Sequence, residues 1–209
     1  MTTPRRWRRL AITAATVLLA SGCVSQPPVT TSGGTGVTPE DHPPGQPELP
    51  VTAPNVQSCS KIPQASAPAS GGSAQRLLDI NLPCLIDGPA INPARLAGRP
   101  MVVNLWATWC EPCREEMPML QAAQKRYGAR VQFVGVNTKD RPDWAAEFLE
   151  EVKVTYPEVV DFDGQLLASV RSLGLPVTLV LDSQGQLVGR QIGRITEKRL
   201  TELIDESTR

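Results

Sequence analysis

Histidine is almost absent from this chain, which has only His42, within a proline-rich stretch. A Cys-His protease site and a histidine-ligated metal both need a histidine held in a structured site, so both are disfavoured. Arg114 directly follows the second cysteine of a C-x-x-C pair, which excludes the C-x-x-C-H pattern of haem attachment. The sequence therefore predicts neither a metal nor a bound cofactor.

Aromatic residues are scarce, at 4%, and neither sign of charge is in excess, with 21 basic and 21 acidic residues. The first 22 residues contain four arginines and no acid, so a chain beginning at Cys23 would carry 17 basic and 21 acidic residues. No basic patch with interleaved aromatics is available to neutralise phosphates, which argues against nucleic-acid binding. A length of 209 residues allows one globular domain with extensions.

The N-terminal apolar run, Leu10 to Ala20, is too short to span a bilayer. Four arginines precede it, as in a secretory signal peptide, and it is followed by Ser21-Gly22-Cys23, which resembles a bacterial lipobox. We therefore expect residues 1–22 to be a lipoprotein signal peptide. Lipidated Cys23 would anchor the protein on the extracytoplasmic face of the bacterial membrane. An ordinary secretory signal with an incidental Cys23 is the alternative, and the export route stays open.

Residues 23–73 are dense in proline, glycine, serine and threonine and show almost no apolar periodicity. Such a composition buries too little surface to offset the entropy of ordering. This segment is predicted to be a flexible tether, with the globular domain at 74–209.

The central motif is Cys110-Glu-Pro-Cys113, directly after the apolar run Met101–Trp106. The segment after it has apolar residues at helical spacing, so the pattern is strand, paired cysteines, helix. Two cysteines three apart at a helix start can form one disulfide, and the helix N-terminus favours a thiolate on the first. Cys110 is therefore predicted to be the attacking nucleophile and Cys113 the resolving thiol.

The longer string VVNLWATWCEPCREEMP resembles the TlpA/ResA-type envelope thiol-disulfide oxidoreductases of the thioredoxin superfamily. The resemblance covers about Leu77 to Arg209. It implies that Glu116, three residues after the second cysteine, lies near the thiols and modulates their proton transfers. Plain thioredoxins carry an aspartate in the preceding strand, where this chain has Asn104. The alternative for Glu116 is a solvated helix carboxylate.

The same resemblance implies substrate-binding roles for three further residues. Trp109 would cover the site as an apolar lid, with core packing as its alternative. Pro176 in GLPVT resembles the cis-proline that faces the C-x-x-C, although a proline at a strand start also fits structural needs. The Leu175 backbone would then be presented to an extended substrate chain.

Cys59 and Cys84 form the second cysteine pair. In an exported protein a distant pair is normally a structural disulfide, which is our prediction here. Free buried thiols, a second redox pair and a zinc site recruiting all four cysteines are the alternatives, with zinc disfavoured by the spacing.

Strands alternating with helices, followed by an antiparallel pair, predict an α/β fold with a mixed sheet. With the resemblance, this is a thioredoxin-like fold with helices flanking the central sheet, an N-terminal β extension and a TlpA/ResA-type central insertion. The predicted elements are a first hairpin over Leu77–Leu85 and Pro89–Leu96, strands at Met101–Trp106, Val131–Val136, Pro157–Val160, Val177–Leu181 and Gln186–Ile192, and helices to about Tyr127, from Asp140, over Gly164–Ser172 and over Thr196–Glu206.

The resemblance further implies reduction of disulfides in exported proteins, including the CxxCH cysteines of apocytochrome c. Electrons would come from a membrane thiol carrier of the CcdA type. The alternatives are a disulfide-donating oxidase of the DsbE/DsbF type and a non-catalytic thioredoxin-fold holdase. No apolar stripe beyond those needed for the core indicates an obligate dimer, so we expect a monomer.

Overall fold

The computed structural model describes residues 49–66 and 77–209. The predicted signal peptide, Cys23 and His42 lie outside these ranges. Within them, no helix is both long enough and apolar enough to cross a membrane.

A five-stranded mixed sheet in the order β3-β2-β1-β4-β5 forms the centre of the domain. The strands are β1 Met101–Trp106, β2 Gln132–Thr138, β3 Glu158–Asp161, β4 Val177–Leu181 and β5 Leu187–Ile192. The central strand β1 runs parallel to β2 and antiparallel to β4. Every residue of β1 to β4 is buried, and β1 and β4 accordingly have near-continuous apolar sequences. β2 and β3 also bury polar residues at their ends. The predicted α/β fold with a mixed sheet is confirmed.

Four helices connect and cover the strands. They are α1 Glu111–Tyr127, α2 Pro142–Glu151, α3 Gln165–Ser169 and α4 Glu197–Ser207. Helix α1 ends at Gly128, which has a positive φ of 55° that a glycine adopts without strain. Thr196 caps α4 by accepting a hydrogen bond from the Arg199 N–H.

The two faces of the sheet bury separate apolar clusters. One contains Val102 and Trp106 of β1 together with residues of α1, α2 and α4, and it includes Cys110 and Cys113. The other contains Val103 and Leu105 of β1, residues of α3 and most of the N-terminal extension. The period-two alternation of β1 thus sends its even-numbered side chains to the face that carries the cysteines.

The N-terminal extension packs onto the domain from residue 49 onward. Ala53, Val56, Cys59 and Ile62 are all buried, although their segment falls within the predicted tether. Cys59 forms a disulfide with Cys84, with Cα atoms 6.0 Å apart. The domain boundary predicted at residue 74 thus differs from the structure, because a few well-spaced apolar side chains and one disulfide hold a segment of tether-like composition.

The predicted hairpin over residues 77–96 is not a pair of regular strands. Leu82 and Ile91 form a single antiparallel bridge, while Cys84 pairs with Val159 on the outer edge of β3. Covering the edge of β3 therefore takes precedence over the local hairpin. The predicted helix over 164–172 is also shorter in the structure.

Candidate active site

Cys110 and Cys113 form a disulfide at the N-terminus of α1, with Cα atoms 5.3 Å apart. Cys110 is the N-cap residue, and its Sγ accepts a hydrogen bond from the Cys113 N–H at 3.3 Å. Cys110 is 5% exposed and Cys113 is fully buried, so a substrate reaches Cys110 first. Pro112 occupies the first turn, where its missing N–H removes no helical hydrogen bond.

A short loop from Ala107 to Trp109 connects β1 to the cysteines, and one carboxylate holds it. The Asp140 carboxylate accepts hydrogen bonds from the Thr108 N–H at 2.6 Å and from the Thr108 hydroxyl at 2.8 Å. It also accepts from Asn137 Nδ2 at 2.9 Å and from the Arg141 N–H at 2.8 Å. Trp109 donates its indole N–H to the Lys139 carbonyl at 3.0 Å. The turn after β2 therefore positions the loop that presents Cys110.

Glu116 lies on α1, one turn beyond Cys113, and is 2% exposed. Its Oε1 accepts from Asn104 Nδ2 at 2.9 Å, and its Oε2 accepts from the Ile195 N–H at 2.9 Å. Asn104 Nδ2 also lies 3.2 Å from the Thr178 hydroxyl oxygen. Glu116 is thus a buried acid held between β1 and the loop before α4, whereas Glu115 is half-exposed and paired with Arg194.

Burial raises the pKa of Glu116 from 4.5 to about 7. The hydrogen bonds from Ile195 and Asn104, and the charge of Arg194, favour the carboxylate and limit this rise. A carboxyl group with this pKa can both accept and donate a proton near neutral pH.

Pro176 directly precedes β4, whose first residue, Val177, pairs with Leu105 near the end of β1. The Leu175–Pro176 peptide bond is cis, as the resemblance implies. Leu175 packs against the same apolar cluster that contains both cysteines. The strand order therefore brings this turn to the end of the sheet from which the Cys110 loop emerges.

A groove of about 350 Å³ lies beside this loop, and we name it the tryptophan groove. It is lined by Thr108, Trp109, Arg114, Trp144, Glu147, Phe148 and Glu151. Trp109 is 60% exposed, so it is not a core residue, and the Arg114 guanidinium stacks 5.1 Å from the centre of the Phe148 ring. The exposed Trp109 indole, directly before Cys110 in the chain, supplies apolar surface at the groove.

Sequence reasoning missed Asp140, Thr178 and the acid Glu158, whose Oε2 accepts from the Trp106 indole N–H at 2.9 Å. An acid inside the strand-like run after Pro157 was the available signal for Glu158, since ionisable residues are rarely fully buried. Asp140 and Thr178 gave no such signal. No group of three or more potential metal ligands occurs among the described residues.

A family model described as Redoxin matches residues 60–204, so the chain belongs to the Redoxin family. Its fold and its paired cysteines are those of a thioredoxin-like protein of the TlpA/ResA type. Residues 110, 113, 116 and 176 lie within the matched range.

The chain is 38% identical over 109 residues to the thiol:disulfide interchange protein HelX of Rhodobacter capsulatus, covering 52% of this chain and 60% of HelX. It is 30% identical over 115 residues to the thiol-disulfide oxidoreductase ResA of Bacillus subtilis, covering 54% and 64%. Among solved structures, MTB dsbF superposes with a TM-score of 0.57 at 27% identity, covering 63% of this chain and 96% of dsbF. The chain thus spans less than two thirds of the curated relatives named here.

Proposed function

We propose that the protein is a thiol-disulfide oxidoreductase that uses Cys110 and Cys113 as its redox couple. The observation that carries this proposal is the Cys110–Cys113 disulfide at the N-terminus of α1, with the buried acid Glu116 one turn beyond. The names of the relatives, a thiol:disulfide interchange protein and a thiol-disulfide oxidoreductase, support the same class of activity.

The reaction begins with the reduced protein. The Cys110 thiolate attacks one sulfur of a substrate disulfide, forms a mixed disulfide and releases the first substrate thiolate. Cys113 then attacks Cys110, which restores the Cys110–Cys113 disulfide and releases the second substrate thiolate. Two electrons pass to the substrate, and its two thiolates take up two protons. Glu116 accepts the proton of Cys113 as that thiol attacks, because its pKa of about 7 suits this transfer.

The substrate is an extended chain with a cysteine pair. Trp109 offers apolar surface beside Cys110, while the backbone of Leu175, before cis-Pro176, is available for strand-like pairing with the substrate. Main-chain pairing accepts many sequences, which suits a protein that acts on several partners.

The substrates are exported proteins, with apocytochrome c CxxCH cysteines as the specific candidate, and a membrane carrier of the CcdA type supplies electrons. The family resemblance and the predicted lipid anchor at Cys23 support this placement in the bacterial envelope. The buried Cys59–Cys84 disulfide also supports it, because structural disulfides persist in oxidising compartments.

The reductive direction is supported by the charges around the couple. Glu111 directly follows Cys110, and Glu116 lies one turn beyond Cys113. Both carboxylates oppose formation of a thiolate, so they favour the disulfide and lower the reduction potential. A disulfide donor would instead need charges that favour the thiolate and raise the reduction potential.

The reduction potential of the Cys110/Cys113 couple tests the direction of transfer. It is measured on the chain from residue 23 onward with Cys23→Ser, which leaves only the two disulfide pairs. A value near about −270 mV, as in thioredoxin, supports a reductant, whereas about −120 mV, as in DsbA, would make the protein a disulfide donor.

A Cys113→Ser variant tests turnover itself. It should accumulate mixed disulfides with exported proteins through Cys110, and a Cys110→Ser variant should accumulate none. Unchanged function of the Cys113→Ser variant in a cellular assay would favour the non-catalytic holdase, because binding alone needs no resolving thiol.

A further inference from the structure

Glu158 is a buried acid that the reaction above does not use. It begins β3 and is fully buried, and its Oε2 accepts the Trp106 indole N–H. Its Oε1 has no hydrogen-bond partner within residues 49–66 and 77–209. None of the ion pairs found among these residues includes Glu158.

The strand register connects Glu158 to the redox site. Gly135 of β2 pairs with Glu158 on one side and with Asn104 of β1 on the other, and Asn104 pairs with Thr178 of β4. Residues directly opposite one another across a sheet point their side chains to the same face. We name this set, Glu158, Gly135, Asn104 and Thr178, the buried polar row.

Gly135 provides the space that the Glu158 side chain occupies. A Cβ atom at position 135 would collide with both carboxyl oxygens of Glu158. The carboxyl group therefore lies above the Gly135 backbone, on the side of β3 that faces Asn104. Glycine within a strand often marks such a close approach by another group.

Three buried polar atoms at this place lack a partner among the described residues. They are Glu158 Oε1, Asn104 Oδ1 and the Tyr156 hydroxyl. If Glu158 were ionised, its carboxylate oxygens could only accept hydrogen bonds, and the Asn104 amide oxygen can also only accept them. Burying the charge would in addition cost a large desolvation free energy. A protonated Glu158 supplies the missing donor.

The groups that face Glu158 agree with a neutral acid. The titratable group that interacts with Glu158 is Tyr156, just before β3, which also interacts with Glu116 from α1, and none of these groups brings a positive charge. Burial raises the pKa of Glu158 well above its ordinary range, and the Trp106 hydrogen bond opposes this rise more weakly. Burial, and more weakly the neighbouring acids, likewise raises the pKa of Tyr156.

We propose that Glu158 is a positioning residue of the redox site, a carboxylic acid that keeps its proton at neutral pH and directs it across Gly135 towards the Asn104 amide oxygen. This hydrogen bond fixes the Asn104 side chain with Nδ2 towards Glu116. Glu158 thereby sets the proton affinity of Glu116 without touching the sulfurs. The inference rests on the proposed role of Glu116 in thiol proton transfer.

Infrared difference spectroscopy of the oxidised protein at pH 8 tests the protonation. The carbonyl band of a buried carboxylic acid should be present in the wild type, lost in Glu158→Gln and retained in Glu116→Gln. If no such band disappears in Glu158→Gln, Glu158 is ionised and the proposal is overturned. This measurement does not depend on catalysis, so it stands even if the proposed function fails.

The pH dependence of the Cys110/Cys113 potential tests the positioning. Glu158→Gln keeps an N–H donor and an acceptor and should preserve the wild-type profile. Glu158→Met removes both and should move the inflection due to Glu116 upward by about one pH unit, a tenfold change in proton affinity. The exposed Glu206→Met on α4 is the matched control and should leave the profile unchanged.

Two results would overturn the positioning role. A shifted profile in Glu158→Gln would show that Glu158 itself titrates in this range, and a wild-type profile in Glu158→Met would show that it does not affect Glu116. If Glu158→Met does not fold, Glu158→Gln and the infrared measurement still decide. A Glu116→Gln variant that retains the inflection would instead refute the role of Glu116 and leave the protonation of Glu158 standing.

Discussion

Asn104 on β1 donates a 2.9 Å hydrogen bond from its Nδ2 to Glu116 on α1, in the buried layer that also contains the cysteines. In plain thioredoxins, a single aspartate of the strand stands where this chain has Asn104. Here two residues share that role. The helix carries the ionisable group, and the strand carries a neutral donor that favours its charged form.

Replacing Asn104 by alanine should raise the pKa of Glu116 above its present value of about 7, because the carboxylate loses a donor. The carboxyl ¹³C chemical shift of Glu116, followed by NMR against pH in the oxidised protein, reports this directly. Thr178→Val leaves Asn104 Nδ2 able to donate to Glu116, so it should shift the titration midpoint of Glu116 less than Asn104→Ala does. Equal midpoints in the wild type and in Asn104→Ala would contradict the assigned hydrogen bond.

Glu116 should make the protein less stable as pH rises. Its pKa is 4.5 when unfolded and about 7 when folded, so the folded state binds more protons between these values. The free energy of unfolding should therefore fall between about pH 4.5 and 7, by up to about 3 kcal/mol relative to Glu116→Gln. Urea denaturation with intact disulfides at pH 5 and 8 measures this difference.

Glu115→Gln is the control for this stability effect, since Glu115 is half-exposed and should leave the pH dependence almost unchanged. A Glu116→Gln variant whose stability changes with pH in parallel with the wild type would show that Glu116 is already ionised at pH 5.

Asp140→Ala should slow disulfide exchange through Cys110, because the Thr108 N–H and hydroxyl lose their acceptor and the loop before the cysteine loosens. A donor that loses its acceptor costs about 1–3 kcal/mol, which corresponds to a loss of rate between roughly fivefold and 150-fold. The rate of insulin disulfide reduction is a suitable measure. Asp143→Ala removes a nearby exposed carboxylate and should have little effect.

Gly135→Ala should destabilise the domain, because the new methyl group collides with the Glu158 carboxyl group. We expect a loss of about 1–3 kcal/mol in the free energy of unfolding. In the double variant with Glu158→Ala, the methyl group occupies the vacated space, so the two losses should not add. Additive losses in a denaturation cycle would place the Glu158 carboxyl group elsewhere.

Replacing both Cys59 and Cys84 by serine should lower the free energy of unfolding by about 3 kcal/mol, from the entropy of a loop closed over 25 residues. The potential of the Cys110/Cys113 couple should remain unchanged, because the Cys59–Cys84 disulfide packs on the opposite face of the sheet. A changed potential would indicate redox communication between the two pairs.

The sequence by itself determined the features that depend on neighbouring residues. The apolar run Met101–Trp106 became β1 within its predicted limits, and α1 ended at Gly128. The C-x-x-C spacing permitted only a short disulfide at the helix start. The cis peptide bond before Pro176 was instead implied by the resemblance of the GLPVT segment to the family. Periodicity, cap residues and short spacings act over a few residues, so they can be read from the chain.

The tertiary structure alone decided which distant residues meet. Strand register brought Glu158 over Gly135 and into the same row as Asn104, and the turn after β2 brought Asp140 to Thr108. It also placed Cys84 on the edge of β3 rather than in a local hairpin, and it buried part of a segment with the composition of a tether. These contacts join residues far apart in the chain. Their formation depends on the packing of the whole sheet, which local propensity does not specify.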